Sequence, residues 1–244
     1  MTSEHWIFLS PHFDDVALSC GGLVYSLTQN GHHVEIWTIM GGFPPGENYS
    51  TFANQNHHAW GISGVKAINM RRREDHAACD VLGAKPDHFD WPDAIYRYES
   101  KTGEPLVKNN EELFSHPPEQ SLVNEITAML LKRIPTDARV VGPIGLGNHI
   151  DHNAVTQALK AYPRTVDYYA DYPYVLEKFN HPALTANQYI KKTITLSQVA
   201  LKAWQDAVLC YASQLSGFWR DAKEAHLALR NYAIGGGGGL WERT

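Results

Sequence analysis

The sequence predicts an α/β domain in which helices cover both faces of a mostly parallel β-sheet. Short apolar segments, typical of buried strands, alternate with segments whose apolar residues recur at helical spacing. The first strand, "HWIFLSP" (5–11), is followed closely by a helical pattern at 16–31 that ends at Gly31. Because 244 residues are enough for one such core but short for two, we expect a single domain over 1–244.

The later segments continue this alternation. Further strands are predicted at 32–40, 138–147 and 166–175, with a short strand and loop at 88–97. Further helices are predicted at 71–83, 118–134, 152–162 and within 193–215. Residues 51–70 show no clear period, and residues 98–118 are predicted to form a polar surface excursion. The glycine run at 235–239 predicts a flexible tail over 235–244.

Composition and charge exclude several classes of function. The formal net charge of -5 does not indicate a nucleic-acid partner. No run of about 18 apolar residues is present, so no membrane span is expected. The first residues also lack the basic segment of a signal peptide. The three cysteines are far apart, which predicts neither a disulfide framework nor a thiolate zinc site and favours a cytoplasmic protein.

Two clusters of histidine and aspartate follow predicted strands. The segments "PHFDD" and "HIDH" contain His12, Asp14, Asp15, His149, Asp151 and His152. In open parallel sheets, ligands bind at the carboxyl ends of the strands, so we expect the two clusters to lie close together. Adjacent carboxylates repel each other unless a cation lies beside them. Nitrogen and oxygen donors from two strand ends are typical of a catalytic zinc site with a position open for water.

The residues themselves leave the division of roles open. Because Asp14 and Asp15 are adjacent, their side chains point in different directions. One can therefore bind a metal while the other faces the open coordination position as a general base. His149 could be oriented by the carboxylate of Asp151. Each cluster alone would also be compatible with ordinary loop chemistry, in which such residues cap helices and turns.

Four motifs in order resemble the LmbE-like, or PIG-L, family of zinc-dependent N-acetylglucosaminyl de-N-acetylases. They are "PHFDD" followed by "GG", then "RRREDHAACDVLG", "HIDH" and "YASQ", within about residues 5–215. The resemblance implies a Rossmann-like α/β fold. It implies that Zn²⁺, or another divalent metal, is bound by His12, Asp15 and His152. It also implies that Asp14 is the general base and that His149, oriented by Asp151, stabilises the oxyanion or protonates the leaving amine.

The resemblance also implies contacts with a substrate. Arg71 and Glu74 match the start of a family helix, where Arg71 would lie near the substrate and Glu74 would support it. A solvated helix face is the alternative. Asp93 matches an acidic position that contacts sugar hydroxyls, although an aspartate after proline is also common in turns. Some relatives carry a tyrosine shortly before H-x-D-H, and here Gly147 stands in that place.

Other histidines and aromatic residues have less specific interpretations. Two adjacent pairs, His32–His33 and His57–His58, have no carboxylate placed beside them by the sequence, so we predict that they are surface residues. The aromatic segment "ADYPYV" (170–175) either packs in the core or lines a sugar pocket by stacking.

The leading hypothesis is a zinc-dependent hydrolase that removes the acetyl group from a small-molecule conjugate containing N-acetylglucosamine. The alternatives are an amidase that cleaves a larger amide conjugate and a non-catalytic metal- or sugar-binding module. Asp14 argues against the module, because a pure binder needs no base beside its metal. A nucleotide-binding protein is excluded because the glycine fingerprint is missing. The resemblance also allows a homo-oligomer.

Overall fold

The computed structural model describes residues 2–177, 184 and 188–244. Within these residues, seven strands form one sheet in the order β3-β2-β1-β4-β5-β7-β6. They are β1 (His5–Ser10), β2 (His33–Thr38), β3 (Lys85–His88), β4 (Arg139–Pro143), β5 (Val166–Tyr169), β6 (Tyr189–Lys192) and β7 (Leu240–Arg243). The strands from β3 to β5 are parallel, whereas β7 is antiparallel to both β5 and β6. The predicted α/β fold with a mostly parallel sheet is confirmed.

Helices cover both faces of this sheet. They are α1 (Asp15–Gln29), α2 (Thr51–Trp60), α3 (Gly64–Leu82), α4 (Asn110–Ser115), α5 (Gln120–Arg133), α6 (Ile150–Ala161), α7 (Tyr174–Glu177), α8 (Gln198–Leu209), α9 (Ala212–Phe218) and α10 (Ala222–Ile234). Successive residues of β1 point to opposite faces. Phe8 packs in the core that contains residues of α1 and α3, while Ile7 and Leu9 pack in the core that contains residues of α5 and α6. Burial on both faces explains why β1 is apolar throughout its centre.

The segment without a clear period contains a helix that the sequence pattern did not predict. The buried residues of α2 are Phe52, Ala53 and His57, so one turn of its inner face carries a histidine instead of an apolar residue. Nε2 of His57 lies 2.8 Å from the hydroxyl group of Tyr96. The predicted surface position is therefore wrong for His57. Its imidazole can be buried because the hydroxyl group of Tyr96 gives the ring nitrogen a hydrogen-bond partner.

The prediction of a flexible tail over 235–244 is also wrong. The last strand, β7, pairs with β5 on one side and with β6 on the other. A Cβ atom at Gly239 would lie only 2.6 Å from the carbonyl oxygen of Lys192. Gly238 has a φ of +79, and a Cβ atom there would lie 2.9 Å from the ring of Trp204. Gly239 is therefore required by the close approach of the neighbouring backbone, and Gly238 by its left-handed conformation. Composition alone had suggested flexibility there.

The strand order places the carboxyl ends of three parallel strands beside one another. The segments that follow β1, β4 and β5 all leave the carboxyl ends of neighbouring parallel strands.

The three cysteines are free. Across the described ranges, no helix has the length and apolar character needed to cross a membrane.

Candidate active site

The two predicted clusters meet at the carboxyl ends of β1 and β4. His12 and Asp15 follow β1, and His152 lies in the first turn of α6. The carboxylate of Asp15 lies between the two imidazoles, with Oδ2 3.3 Å from Nδ1 of His12 and Oδ1 3.3 Å from Nε2 of His152. All three side chains are buried. The structure therefore brings together the three residues that were expected to bind metal.

The donor types, two imidazoles and a carboxylate, suit a divalent metal ion such as zinc. Each imidazole nitrogen lies 3.3 Å from a different oxygen of Asp15, so the carboxylate lies between the two rings. Burial lowers the pKa of His152, but the carboxylates of Asp15 and Asp171 raise it to about 9. Carboxylates thus attract a positive charge to this position, and a bound cation would replace the proton there.

Asp171 supports His152 and was not predicted as a site residue. Its Oδ1 lies 2.7 Å from Nδ1 of His152, and its Oδ2 accepts hydrogen bonds from the backbone N–H groups of Gly145 and Leu146. A carboxylate that holds the far nitrogen of a ligand imidazole fixes both the tautomer and the ring orientation. Its position just after β5 could have indicated a site residue, but only the aromatic residues of that segment were interpreted from the sequence.

Asp14 faces a different neighbour from Asp15, as their adjacency predicts. Its Oδ1 lies 3.3 Å from Nη2 of Arg71, a buried residue of α3. The guanidinium group of Arg71 also lies over the ring of Phe13, 5.3 Å from its centroid. Burial raises the pKa of Asp14, and the charge of Asp15 adds to this rise, although Arg71 opposes it. A carboxylate with a raised pKa beside a metal-binding set is suited to accept a proton.

His149 lies beside His12 and His152. Its ring centroid is 4.8 Å from that of His12, and one ring nitrogen from each of His12, His149 and His152 lies within 4.8 Å of the others. Nδ1 of His149 accepts a hydrogen bond from the backbone N–H of Asp151, so the proton of the neutral ring is assigned to Nε2. Burial lowers the pKa of His149 well below its ordinary value, and the charges of His12 and His152 contribute.

The predicted contact between the Asp151 carboxylate and His149 is wrong. That carboxylate instead lies 3.1 Å from Nε2 of His12 and 2.7 Å from Nη1 of Arg97, and it accepts a hydrogen bond from the backbone N–H of Ala94. Although burial opposes ionisation, Arg97 and His12 hold the pKa of Asp151 well below its ordinary range. Asp151 reaches His149 only through its backbone, because its side chain is directed towards the segment that contains Arg97.

Arg97 is a second residue of the site that the sequence did not reveal. Two nitrogens of its guanidinium group each lie 3.1 Å from a carboxylate oxygen of Glu119. This paired contact fixes the plane of the guanidinium group that faces Asp151. Asp151 therefore supports His12 in the way that Asp171 supports His152.

Asp93 caps a turn, and its side chain also reaches the cleft. Its Oδ1 accepts a hydrogen bond from the backbone N–H of Ile95 and caps a short helical turn. Its Oδ2 lies 3.6 Å from Nε2 of His12, and the side chain lines the cleft above the cluster. Burial lowers the pKa of His12, but Asp93, Asp15 and Asp151 together raise it well above its ordinary value.

The cleft has a volume of about 230 Å³. Its walls combine aromatic rings with neutral amides, including Trp60, Phe114, Phe218, Asn56, Asn110 and Gln214. Sites for drug-sized ligands usually measure about 300–1,000 Å³, so this cleft suits a group as small as a single sugar ring. The predicted surface excursion at 98–118 contributes Asn110 and Phe114 to the wall, and "YASQ" contributes Gln214. Glu74 supports that motif by accepting hydrogen bonds from the backbone N–H and the hydroxyl group of Ser213.

Tyr174 fills the space next to Gly147. A Cβ atom at Gly147 would lie 2.6 Å from Cγ of Tyr174. The ring of Tyr174 also meets the rings of His152 and Phe114, at centroid distances of 5.8 and 5.7 Å. An aromatic side chain therefore lies beside the H-x-D-H segment, but it comes from α7.

The fold and the site together define an α/β protein with a buried histidine–carboxylate centre suited to a divalent metal. The chain belongs to the PIG-L family, since the family model described as GlcNAc-PI de-N-acetylase matches residues 7–162. The resemblance expected from the four motifs is thus confirmed.

Several relatives are deacetylases. The chain is 29% identical over 247 residues to the 2'-N-acetylparomamine deacetylase of Niallia circulans, covering 91% of this chain and 85% of that protein. It is 27% identical to a deacetylase solved with teicoplanin, from the biosynthesis pathway of teicoplanin, with a TM-score of 0.77 and 98% of each chain covered. It is also 27% identical to the solved A40926 pseudoaglycone deacetylase, with a TM-score of 0.72 and 99% and 97% of the chains covered. These relatives support an enzyme that acts on an amide bond.

Proposed function

We propose that the protein is a zinc-dependent hydrolase that removes the N-acetyl group from a conjugate containing N-acetylglucosamine. The observation that carries the proposal is that Asp14 and His149 line the same cleft as His12, Asp15 and His152. A metal-binding module would need only the ligand set. A hydrolase also needs a base and a hydrogen-bond donor at the open side.

Each residue then has a separate task. His12, Asp15 and His152 would hold the zinc, while Asp151 and Asp171 fix the two imidazoles. When bound, zinc supplies a positive charge that polarises a carbonyl group and lowers the pKa of a water molecule. Asp14 accepts the proton that the attacking water loses. Nε2–H of His149 donates a hydrogen bond to the acetyl oxygen as negative charge develops there.

The remaining proton balance follows from the products. Hydrolysis of the amide gives acetate and an amine, and the nitrogen must gain a proton as its bond to the acetyl carbon breaks. Asp14 holds the proton taken from water and is the first candidate to return it. His149, which has a lowered pKa, remains neutral at pH 7 and serves as a donor throughout.

The cleft supports an amino sugar as the group that carries the acetyl. Because the acetyl group is small, selectivity must come from contacts with the amine side of the substrate. Arg71 and Asp93 would contact sugar hydroxyls and Trp60 and Phe114 would stack on the ring, a proposal that rests on their position in the walls of the cleft. A volume of about 230 Å³ holds the reacting sugar and leaves the rest of a conjugate outside. The named relatives, which deacetylate a paromamine derivative or belong to the teicoplanin pathway, support a conjugate over free N-acetylglucosamine.

Acetate release from a panel of N-acetylglucosamine conjugates would test this function. The assay should include free N-acetylglucosamine, a chelator-treated sample and the same sample after zinc is restored. We expect release from at least one conjugate, loss of activity with chelator, recovery with zinc, and poor turnover of the free sugar.

The other outcomes identify the alternatives. Release of amines from larger acyl amides, with no acetate from any amino sugar, would favour the amidase. Binding of zinc and sugar conjugates without any hydrolysis would favour the binding module. Acetate release that neither chelator nor zinc changes would contradict a metal-dependent mechanism.

A further inference from the structure

Two histidines and a glutamate lie together at the amino ends of β1 and β2. His5 begins β1, His33 begins β2, and the two residues are direct partners in the parallel register. Glu35 follows two residues after His33, so its side chain emerges on the same face of the sheet. This group, called here the amino-end cluster, lies at the opposite edge of the sheet from the cleft.

The side chains of the amino-end cluster point towards one another. Nε2 of His5 lies 3.1 Å from Oε1 of Glu35, and Nδ1 of His33 lies 3.9 Å from the same oxygen. The two imidazole centroids are 4.6 Å apart, and one donor atom from each residue lies within 4.8 Å of the others. Small side-chain rotations would bring these atoms to the spacing of about 3.4 Å between ligands of a tetrahedral zinc ion.

Glu35 is held in a position from which it can bind a cation. Its Oε2 accepts a hydrogen bond of 2.7 Å from Nε1 of Trp37, which leaves Oε1 facing the imidazoles. Burial raises the pKa of Glu35, but the hydrogen bond from Trp37 and the charges of His5 and Lys85 hold it below its ordinary value. The carboxylate is therefore ionised at neutral pH.

A simple ion pair explains only part of this arrangement. The contact between His5 and Glu35 needs no second imidazole, yet His33 is directed to the same oxygen while its side chain is 55% exposed. The neighbouring His32 differs, because its Nδ1 already accepts a hydrogen bond from the backbone N–H of Glu4. His33 thus presents a ring nitrogen and an open approach from solvent.

We propose that His5, His33 and Glu35 form a second metal site, which binds Zn²⁺ or a similar transition-metal ion with solvent completing the coordination. Two imidazoles and one carboxylate suit zinc, nickel or copper better than magnesium or calcium, which prefer oxygen ligands. Because the ion joins β1 to β2 outside the cleft, it stabilises the folded chain and leaves the deacetylation rate unchanged.

Zinc titration of tag-free protein, with bound metal counted after dialysis, tests the proposal. We expect two zinc ions per chain in the parent protein and in His58→Ala, a matched control that removes another exposed histidine. His33→Ala should bind one ion, keep full activity and lose the part of the zinc-induced rise in Tm that depends on the amino-end cluster. Glu35→Gln should lose the same ion, although its amide oxygen can still accept the hydrogen bond from Trp37.

The His152→Ala variant distinguishes zinc bound at the amino-end cluster from zinc bound at the catalytic centre. One zinc ion should remain in that variant and disappear when His33→Ala is added. If the catalytic centre binds no zinc, the parent protein should hold one ion that is lost in His33→Ala and kept in His152→Ala. Equal zinc content in the parent and His33→Ala proteins, or zinc density in crystals at a position other than His5, His33 and Glu35, would overturn the proposal.

Discussion

The two ends of β1 carry histidine–carboxylate clusters that differ in their support. At the carboxyl end, His12 and His152 are each held by a further carboxylate, from Asp151 and Asp171, and every member is buried. At the amino end, the glutamate is held by the indole of Trp37, and His33 is more than half exposed. The same ligand types, two imidazoles and a carboxylate, therefore lie in two contrasting environments.

This contrast separates metal binding from catalysis. Both clusters bring imidazole and carboxylate donors close together, which is the first requirement for binding an ion. Catalysis further requires a base with a raised pKa, a donor for the developing oxyanion and a cleft that holds the substrate. At the carboxyl end, burial raises the pKa of Asp14, which lines the cleft, whereas at the amino end the net pKa of Glu35 is lowered. We therefore assign chemistry to the buried cluster and binding to the exposed one.

The largest expected effect is that of His152→Ala. Loss of this ligand should remove the tightly bound zinc and reduce acetate release to background, a larger loss than the roughly 10²–10⁴-fold effect of removing a general base. His33→Ala, the matched change at the other end of β1 and β2, should leave acetate release unchanged. Comparable loss of activity in both variants would break the distinction between the clusters.

Asp14→Asn should have the next largest effect. The amide keeps the size of the side chain and an oxygen for Arg71, but it cannot accept the proton from water. We expect zinc content to stay unchanged and kcat to fall by roughly 10²–10⁴-fold. Zinc content and single-turnover rate, measured on the same sample, check this. If zinc is lost instead, Asp14 and Asp15 have exchanged roles.

The supporting carboxylates should show a smaller effect, mainly on metal affinity. Asp171→Asn and Asp151→Asn should each lower zinc affinity by about 10–100-fold, because each loosens one ligand imidazole. Competition with a chelator measures the affinity, and rates at saturating zinc should recover substantially. A fall in kcat with unchanged affinity in Asp151→Asn would restore the rejected contact between Asp151 and His149.

The sequence predicted that His12, Asp15 and His152 lie close together because the signals for it are local. His12 and Asp15 directly follow an apolar strand, and His152 follows another strand after a short glycine-rich loop. The carboxyl ends of parallel strands meet at one edge of the sheet, so position along the chain was enough to bring these residues together. The same argument applied to Asp171, but the aromatic neighbours of that residue drew the interpretation towards stacking and core packing.

The features that the sequence missed depend on contacts between distant segments. Arg97 reaches Asp151 because Glu119 fixes its guanidinium group, and neither pairing follows from spacing. His57 is buried because Tyr96 supplies a hydroxyl partner. Gly238 and Gly239 are required by the approach of Trp204 and Lys192, whereas a run of glycines alone indicates a flexible linker.

The smallest expected effect is that of Asp93, which tests whether the cleft recognises sugar hydroxyls. Loss of one hydrogen bond to the substrate is worth about 0.5–1.5 kcal/mol, so Asp93→Ala should lower kcat/KM by roughly 2–10-fold, mainly through KM, with zinc retained.

Asp93→Asn is the matched control, since its amide oxygen can still cap the turn at Ile95 that the carboxylate caps now. If both variants lose affinity for the conjugate, the carboxylate acts on the substrate. If Asp93→Ala alone is impaired, its role is to hold the turn that places Ala94 against Asp151. Equal activity of Asp93→Ala and the parent on every N-acetylated sugar would remove Asp93 from the site.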